Sequence, residues 1–336
     1  MPNDDLDQNP NPRGDHEEPA RILFRSKRPA EHLNQARTAD RTRHDRADPG
    51  MSTTLDIYCD FFGLSERPFA LLPDPAFLYW SPQHRRAYTM LEYGLLTRAP
   101  ITLITGEVGA GKTTLLHHLL KNLGPEVRVG FITNAQGTRG ELLRWVLMAL
   151  GIAAAANETY VDLFARFQQH LIDEYAQGRR VVLIFDEAQN LSRESLEELR
   201  MFTNINANKD ELLQLILVGQ PELSDLVRRP DMIQFAQRIS SNYHLPAMDE
   251  ETVRRYIDHR LKTVGARESY FARDAISLIH SASRGVPRLV NQLCDLSMLY
   301  AFTSNRKRIR RAIVEQVLTD GVFFAGGQPI PGAAPK

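Results

Sequence analysis

Residues 106–114 read GEVGAGKTT, three glycines, a lysine and two hydroxyls at the spacing G-x-x-x-x-G-K-[ST]. Gly106, Gly109 and Gly111 permit backbone angles that turn successive N–H groups inward, so the loop becomes a nest for phosphate oxygens at a helix N-terminus. Lys112 is placed to reach β- and γ-phosphates, and Thr113 to offer a hydroxyl to magnesium. Glu107, Val108, Ala110 and Thr114 complete the cradle. Further on, RRVVLIFDEAQN carries a uniformly apolar run, Val181 to Phe185, into two neighbouring acids, Asp186 and Glu187. Adjacent carboxylates repel and are costly to desolvate unless a cation sits against them. A strand end beside a phosphate nest supplies that cation. Asp186 then holds the magnesium shell, and Glu187 is free to polarise an attacking water as a general base.

Both motifs need strands to carry them, and the surrounding text has them. ITLIT at 101–105, VRVGFIT at 127–133, VVLIF at 181–185 and LLQLILVG at 212–219 are short apolar runs. Between them lie helical patterns at Lys112 to Leu123, 138–150, 159–177 and Arg193 to Asn206. SNYHL at 241–245 reads as a fifth strand. Alternation of this kind predicts an α/β fold, a parallel sheet sandwiched by helices. After about 248 the strands stop, and helical patterns follow at 253–264, 272–283, 287–303 and 308–319, a small all-helical domain.

Composition narrows the class. Lysine plus arginine equals aspartate plus glutamate at 41 each, so overall charge argues neither for nor against nucleic acid. The two cysteines, Cys59 and Cys294, stand apart among apolar neighbours, which excludes a disulfide framework or a structural zinc cluster and fits a reducing, cytoplasmic compartment. No apolar run is long enough to span a bilayer, and the acidic, polar start is no signal peptide. Residues 1–54 mix both charges with Pro, Asn and Gly, and are expected to be disordered, or untranslated if Met51 is the true start. The expected organisation is that segment, a nucleotide-binding core over 55–248, a helical lid over 249–320 and a flexible tail over 321–336.

Other motifs choose among nucleotide-binding machines. DEAQ at 186–189 resembles helicase motif II, but a second core and the Q-R-x-G-R-x-G-R motif are missing. There is no L-S-G-G-Q, which excludes ATP-binding-cassette transporters. NANKDE at 206–211 follows a helix and is no guanine-specifying N-K-x-D, so ATP is the expected nucleotide. Gln220 ends the fourth strand, where a polar group can meet the γ-phosphate or the lytic water. Arg238 and Arg288, downstream of the phosphate loop and the acids, read as cations for the transition state.

Together these stretches resemble the AAA+ superfamily of ATPases. More closely, they resemble the ATPase domain of the general secretion pathway protein A, or ExeA, type. The resemblance covers about 55–320 and is carried by YCDFFGLSERPFALLPDPAFLYWSPQHRRA, TGEVGAGKTTLL, LIFDEAQNL, LILVGQPEL, QRISSNYHL and RGVPRLVNQLCD. It implies that Gln220 is sensor 1, Arg238 an arginine finger lent to a neighbouring subunit, Arg288 sensor 2 from the lid, and Asn134 a switch residue restraining the catalytic glutamate. It further implies Mg-dependent ATP hydrolysis by an ATP-dependent homo-oligomer in the form of a ring. Longer members carry a transmembrane helix and a peptidoglycan-binding domain after the ATPase, so a short soluble form is expected here. The implied partner is a membrane-bound secretion or polysaccharide-export protein, with the chain cytoplasmic or peripheral at the inner membrane through that partner. The competing reading is a DNA-associated helper ATPase, for which the basic run SNRKRIRRA at 304–312 would suit phosphates.

Overall fold

The computed structural model describes residues 57–71, 77–133, 141–155, 157–207 and 210–324, all within one compact unit, Thr53–Lys336. The segment 1–54, including Met51, lies outside the described residues, as do Asn134 and residues 325–336 of the tail.

In chain order, helices α1 (Cys59–Phe62) and α2 (Pro82–Leu96) precede strand β1 (Ile101–Gly106) and α3 (Lys112–Asn122). Then come β2 (Val127–Thr133), α4 (Glu141–Ala149), α5 (Tyr160–Ala176), β3 (Arg180–Asp186) and α6 (Arg193–Phe202). A two-residue hairpin, β4 (Asn206–Ala207) and β5 (Asp210–Glu211), leads into β6 (Leu213–Gly219). After α7 (Pro221–Val227), α8 (Ile233–Ala236) and β7 (Ile239–Leu245), the rest is helical: α9 (Glu250–Thr263), α10 (Arg273–Ser283), α11 (Pro287–Thr303) and α12 (Arg311–Thr319).

The main sheet is parallel in the order β2-β3-β6-β1-β7. β6 therefore runs between the strand that feeds the phosphate loop and the strand that ends in the two acids. Side chains alternate across a strand, and β3 is apolar on both faces because both are covered. Val181, Leu183 and Phe185 pack with Leu143 and Val146 of α4, Phe167 of α5 and Leu199 of α6. Val182 and Ile184 pack on the other side with Leu91 of α2 and Leu115 and Leu116 of α3.

The helices start where their caps dictate. Ser81 caps α2 by accepting from the His84 N–H at 3.1 Å, with Pro82 in the first turn. Thr159 and Asp162 form a reciprocal capping box on α5. Two helices are shorter than their sequence pattern. α6, expected to reach Asn206, stops at Phe202, where the Thr203 hydroxyl donates to the Arg200 carbonyl at 2.7 Å and the chain enters the hairpin. The last helix, expected from 308, begins at Arg311. Ile309 is fully buried and paired in extended form with Phe271, donating to the Tyr270 carbonyl at 2.8 Å and accepting from Ala272 at 2.9 Å.

The helical domain shares its core with the start of the described chain. Tyr58, Phe62, Phe69 and Phe77 pack among residues of α9, α10, α11 and α12. Polar bonds fix this junction: Tyr58 and Arg67 both bond Asp295 of α11, and Ser65 N–H donates to the Val264 carbonyl at 3.0 Å. This aromatic segment thus belongs physically with the helices that lie far along the chain.

Candidate active site

The phosphate loop runs from the end of β1 into α3. Gly109 (φ 79°) and Gly111 (φ 97°) occupy the left-handed region, where a side chain is strained. Space forbids side chains there as well. A Cβ on Gly111 would stand 2.9 Å from His84 Nε2, and one on Gly109 would stand 2.6 Å from the Cβ of Arg288. His84 supports the loop from α2. Its Nε2–H donates to the Ala110 carbonyl (3.0 Å), while Nδ1 meets the Ser81 hydroxyl (2.8 Å). A carbonyl only accepts, so these partners select the neutral Nε2–H tautomer. Burial accordingly pushes the His84 pKa down, against the smaller opposing pull of the Ala110 carbonyl.

Lys112 opens α3 and is buried. Its ammonium donates to the carbonyls of Gly106 (2.7 Å) and Glu107 (3.0 Å). Burial lowers its pKa, while the carboxylates of Glu187, Asp186, Glu107 and Glu222 pull it back up. The Thr113 hydroxyl donates to Asp186 Oδ2 at 2.7 Å, uniting the loop with the end of β3. A hydroxyl and a carboxylate oxygen so paired are the hard donors that magnesium takes alongside water and phosphate. Glu187 sits in the left-handed region at φ 56°, so the backbone turns sharply and the second acid leaves the strand direction. Its N–H donates back to Asp186 Oδ1 at 3.0 Å.

Gln220 lies where β6 ends, and its Nε2 stands 3.4 Å from Glu187 Oε2. Arg288, in the first turn of α11, is exposed and sits on the loop, its N–H donating to the Gly109 carbonyl at 3.3 Å. Gly106, Glu107, Val108, Ala110 and Thr114 fall in the same loop and helix start. Arg238 is elsewhere. It precedes β7, at the end of the sheet opposite the phosphate loop, and pairs with Glu211 (3.6 Å) and the Asn204 side chain. Five residues of strand separate the two sheet ends, about 17 Å at strand rise. Arg238 cannot reach the phosphate loop of its own chain.

A cleft of about 460 Å³ lies over the loop and Glu187. One side is the loop with Lys112, Thr113, Glu187 and Arg288; the other is Phe77, Leu78, Tyr79, Met248, Tyr256 and Asn291. Arg260 joins the second side. Its guanidinium donates to the carbonyls of Pro68 and Ala70 and to the Tyr256 hydroxyl (2.8 Å), and lies 4.6 Å from the centre of the Phe77 ring. Tyr256 in turn donates to Asn291 Oδ1 at 2.8 Å.

Sequence reasoning did not assign His84, Gln189, Tyr256, Arg260 or Asn291 to the site. His84 had a signal, since it stands in the Ser-Pro-x-His stretch, and Gln189 follows the acids directly. Tyr256, Arg260 and Asn291 had none, because only folding brings α9 and α11 over the loop.

Residues 96–227 match the family described as AAA domain. This chain carries an AAA domain. The AAA segment has a longer similarity as well: over 253 residues the chain is 38% identical to General secretion pathway protein A of Aeromonas hydrophila, covering 75% of this chain and 46% of that protein. The chain therefore spans about half the length of that relative. Among solved structures, the AAA+ fold is shared with Drosophila ORC bound to DNA, at a TM-score of 0.59 and 14% identity over 85% of this chain and 71% of that one. It is also shared with CDC6P from Pyrobaculum aerophilum, at a TM-score of 0.55 and 18% identity over 71% and 68%. Among the described residues, no helix of this AAA+ chain is long and apolar enough to cross a membrane.

Proposed function

We propose that this AAA+ protein binds ATP with magnesium and hydrolyses it, and that it serves as an assembly or regulatory motor for envelope secretion or polysaccharide export. One observation carries the chemistry: the Thr113 hydroxyl meets Asp186 at 2.7 Å in the same cleft that holds Lys112 and Glu187. The aromatic side of the cleft suits a purine, and the glycine loop suits its phosphates. In this reading the Lys112 ammonium leaves the Gly106 and Glu107 carbonyls to meet β- and γ-oxygens. Thr113 and Asp186 would hold magnesium, which would supply charge neutralisation across the phosphates. Glu187 accepts a proton from the attacking water, Gln220 steadies that water, and Arg288 brings positive charge from the lid. Arg238 acts on the nucleotide of a second subunit, which makes the working form an oligomer. Asn134 keeps the switch role that the resemblance gives it.

The 38% identity to General secretion pathway protein A supports the secretion reading; part of that reading is a cytoplasmic location against the inner membrane, through a membrane-bound partner. The chemistry is tested by two substitutions. Lys112→Ala removes the charge that meets the phosphates and should abolish binding of a fluorescent ATP analogue. Glu187→Gln keeps shape but loses the base, so it should bind the analogue and hydrolyse ATP about 10²–10⁴-fold more slowly. Wild-type turnover in Glu187→Gln would remove that residue from the mechanism.

A second reading, a DNA-associated helper ATPase, is favoured by one feature. Arg306, Lys307, Arg308, Arg310 and Arg311 are all exposed around the buried Ile309. Among the described residues, Arg306, Arg308 and Arg310 have no acidic partner, and Arg311 pairs with Glu315. Duplex DNA of arbitrary sequence should bind with an affinity that falls steeply with salt if this reading holds. Indifference to DNA at low salt would leave the secretion reading alone.

A further inference from the structure

The residue after the two acids and one alanine is Gln189, in the short 3-10 turn Ala188–Asn190. Its side-chain amide has two ends, and both are engaged. Nε2 donates to Glu187 Oε2 at 2.7 Å. Oε1 accepts the backbone N–H of Gln220 at 3.0 Å. The amide thus spans from the end of β3 to the end of β6, tying a side-chain carboxylate on one strand to the main chain of the other. The fold makes room for it. Gly219 closes β6, and a Cβ there would stand 2.9 Å from Gln189 Oε1 and 3.1 Å from Gln189 N. A real Cβ is essentially never found 2.9 Å from another heavy atom, so a side chain at position 219 would push the amide away from β6.

Glu187 needs such a holder. Its backbone is left-handed, and no backbone donor is recorded for its carboxylate among the described residues; Gln189 and, at 3.4 Å, Gln220 are its side-chain partners. A carboxylate on a sharp turn with free χ angles would sample many directions, and a base misplaced by about 1 Å can lose roughly 100-fold in rate.

We infer that Gln189 is a positioning residue for hydrolysis: its amide aims the Glu187 carboxylate and couples that aim to the end of β6, where Gln220 stands 3.4 Å from the same carboxylate. The inference rests on the proposed role of Glu187 as the base. A shift of β6 on nucleotide binding is transmitted through one amide to the group that activates water. Gln189 itself contacts neither phosphate nor water in this scheme.

Two substitutions separate the two ends. Gln189→Ala removes both. Gln189→Glu keeps an oxygen acceptor for the Gln220 N–H but replaces the donor facing Glu187 by a like-charged oxygen. Each should lower kcat about 10- to 100-fold, with KM and the affinity for a fluorescent ATP analogue within about twofold of wild type. A split of that kind separates positioning from support of the fold, because loosening of the loop would weaken binding as well. The decisive arm combines each substitution with Glu187→Gln. If Gln189 acts through Glu187, Gln189→Ala should cost almost nothing further in the Glu187→Gln background. Equal loss in both backgrounds, or wild-type kcat in Gln189→Glu, overturns the inference. Failure of the underlying ATPase reading looks different: wild-type turnover in Glu187→Gln alone, whatever Gln189 does. Thermal melting of every variant guards against a folding defect, and a variant that melts early while binding the analogue weakly counts against the positioning role.

Discussion

His84 shows how one side chain can set both the geometry and the pH range of the phosphate loop. It is held neutral, with Nε2–H on the Ala110 carbonyl and Nδ1 on Ser81, and burial lowers its pKa. The unfolded chain therefore takes up the proton first. Stability from this group is fully present above the unfolded value, roughly 6.5, and declines as pH falls below it towards the lowered folded value. His259, whose pKa burial and Arg260 also lower, contributes with the same sign. The melting temperature should fall from pH 7.5 to pH 5.5, and less steeply in His84→Gln. A slope unchanged by that substitution would mean that the imidazole does not control acid sensitivity. At this scale the phosphate loop and the acids were legible in the sequence, because their chemistry lies in short local spacings. Gln189 was visible as a letter beside Glu187 but not as a bridge, since its second partner is 31 residues away.

Among the elements, α9 ties the opening segment of the described chain to the helices through Arg260. Arg260 is buried, yet it holds the carbonyls of Pro68 and Ala70 and the Tyr256 hydroxyl. Replacing it with methionine keeps much of the bulk but strands those acceptors, and a buried group left unpaired costs about 1–3 kcal/mol. Arg260→Met should lower the denaturant midpoint accordingly and weaken nucleotide affinity, because Phe77 and Tyr256 line the cleft. Unaltered stability would show that the carbonyls find water instead. Strand identities and the parallel sheet were readable from apolar runs alternating with helices. The helix ends at Phe202 and Arg311 were not, because a hairpin and the Ile309–Phe271 pairing override local periodicity.

For the molecule as a whole, the role proposed for Arg238 sets what the smallest working unit would be. It is at the wrong end of its own sheet, held by Glu211 and Asn204. If it serves a neighbour's nucleotide, specific activity should rise with protein concentration, and a cation supplied in trans is worth roughly 10³–10⁵ in rate. Arg238→Ala and Lys112→Ala should each be inactive alone. Mixed, they should regain activity, because a Lys112→Ala subunit can lend its Arg238 to an intact site next door. Light scattering establishes that the two co-assemble; an inactive co-assembly would sink the trans role. The α/β core followed by a helical domain could be read from the order of patterns along the chain. The packing of the opening aromatic segment among the last helices could not, since nothing local in FFGLSERPF names a partner so distant.

That distance has a consequence for biosynthesis. Tyr58 bonds Asp295 across 237 residues, and Phe62 and Phe69 belong to the same late-arriving cluster. At about 5–20 residues per second of synthesis, these rings leave the ribosome roughly 10–50 s before the helices that cover them exist. The parallel sheet is translated in the interval and can close without them. The nascent chain therefore carries an uncovered aromatic segment from the emergence of Tyr58 until Asp295 has been made, a target for any holding chaperone, and the cleft gains its second wall only once α9 and α11 have followed.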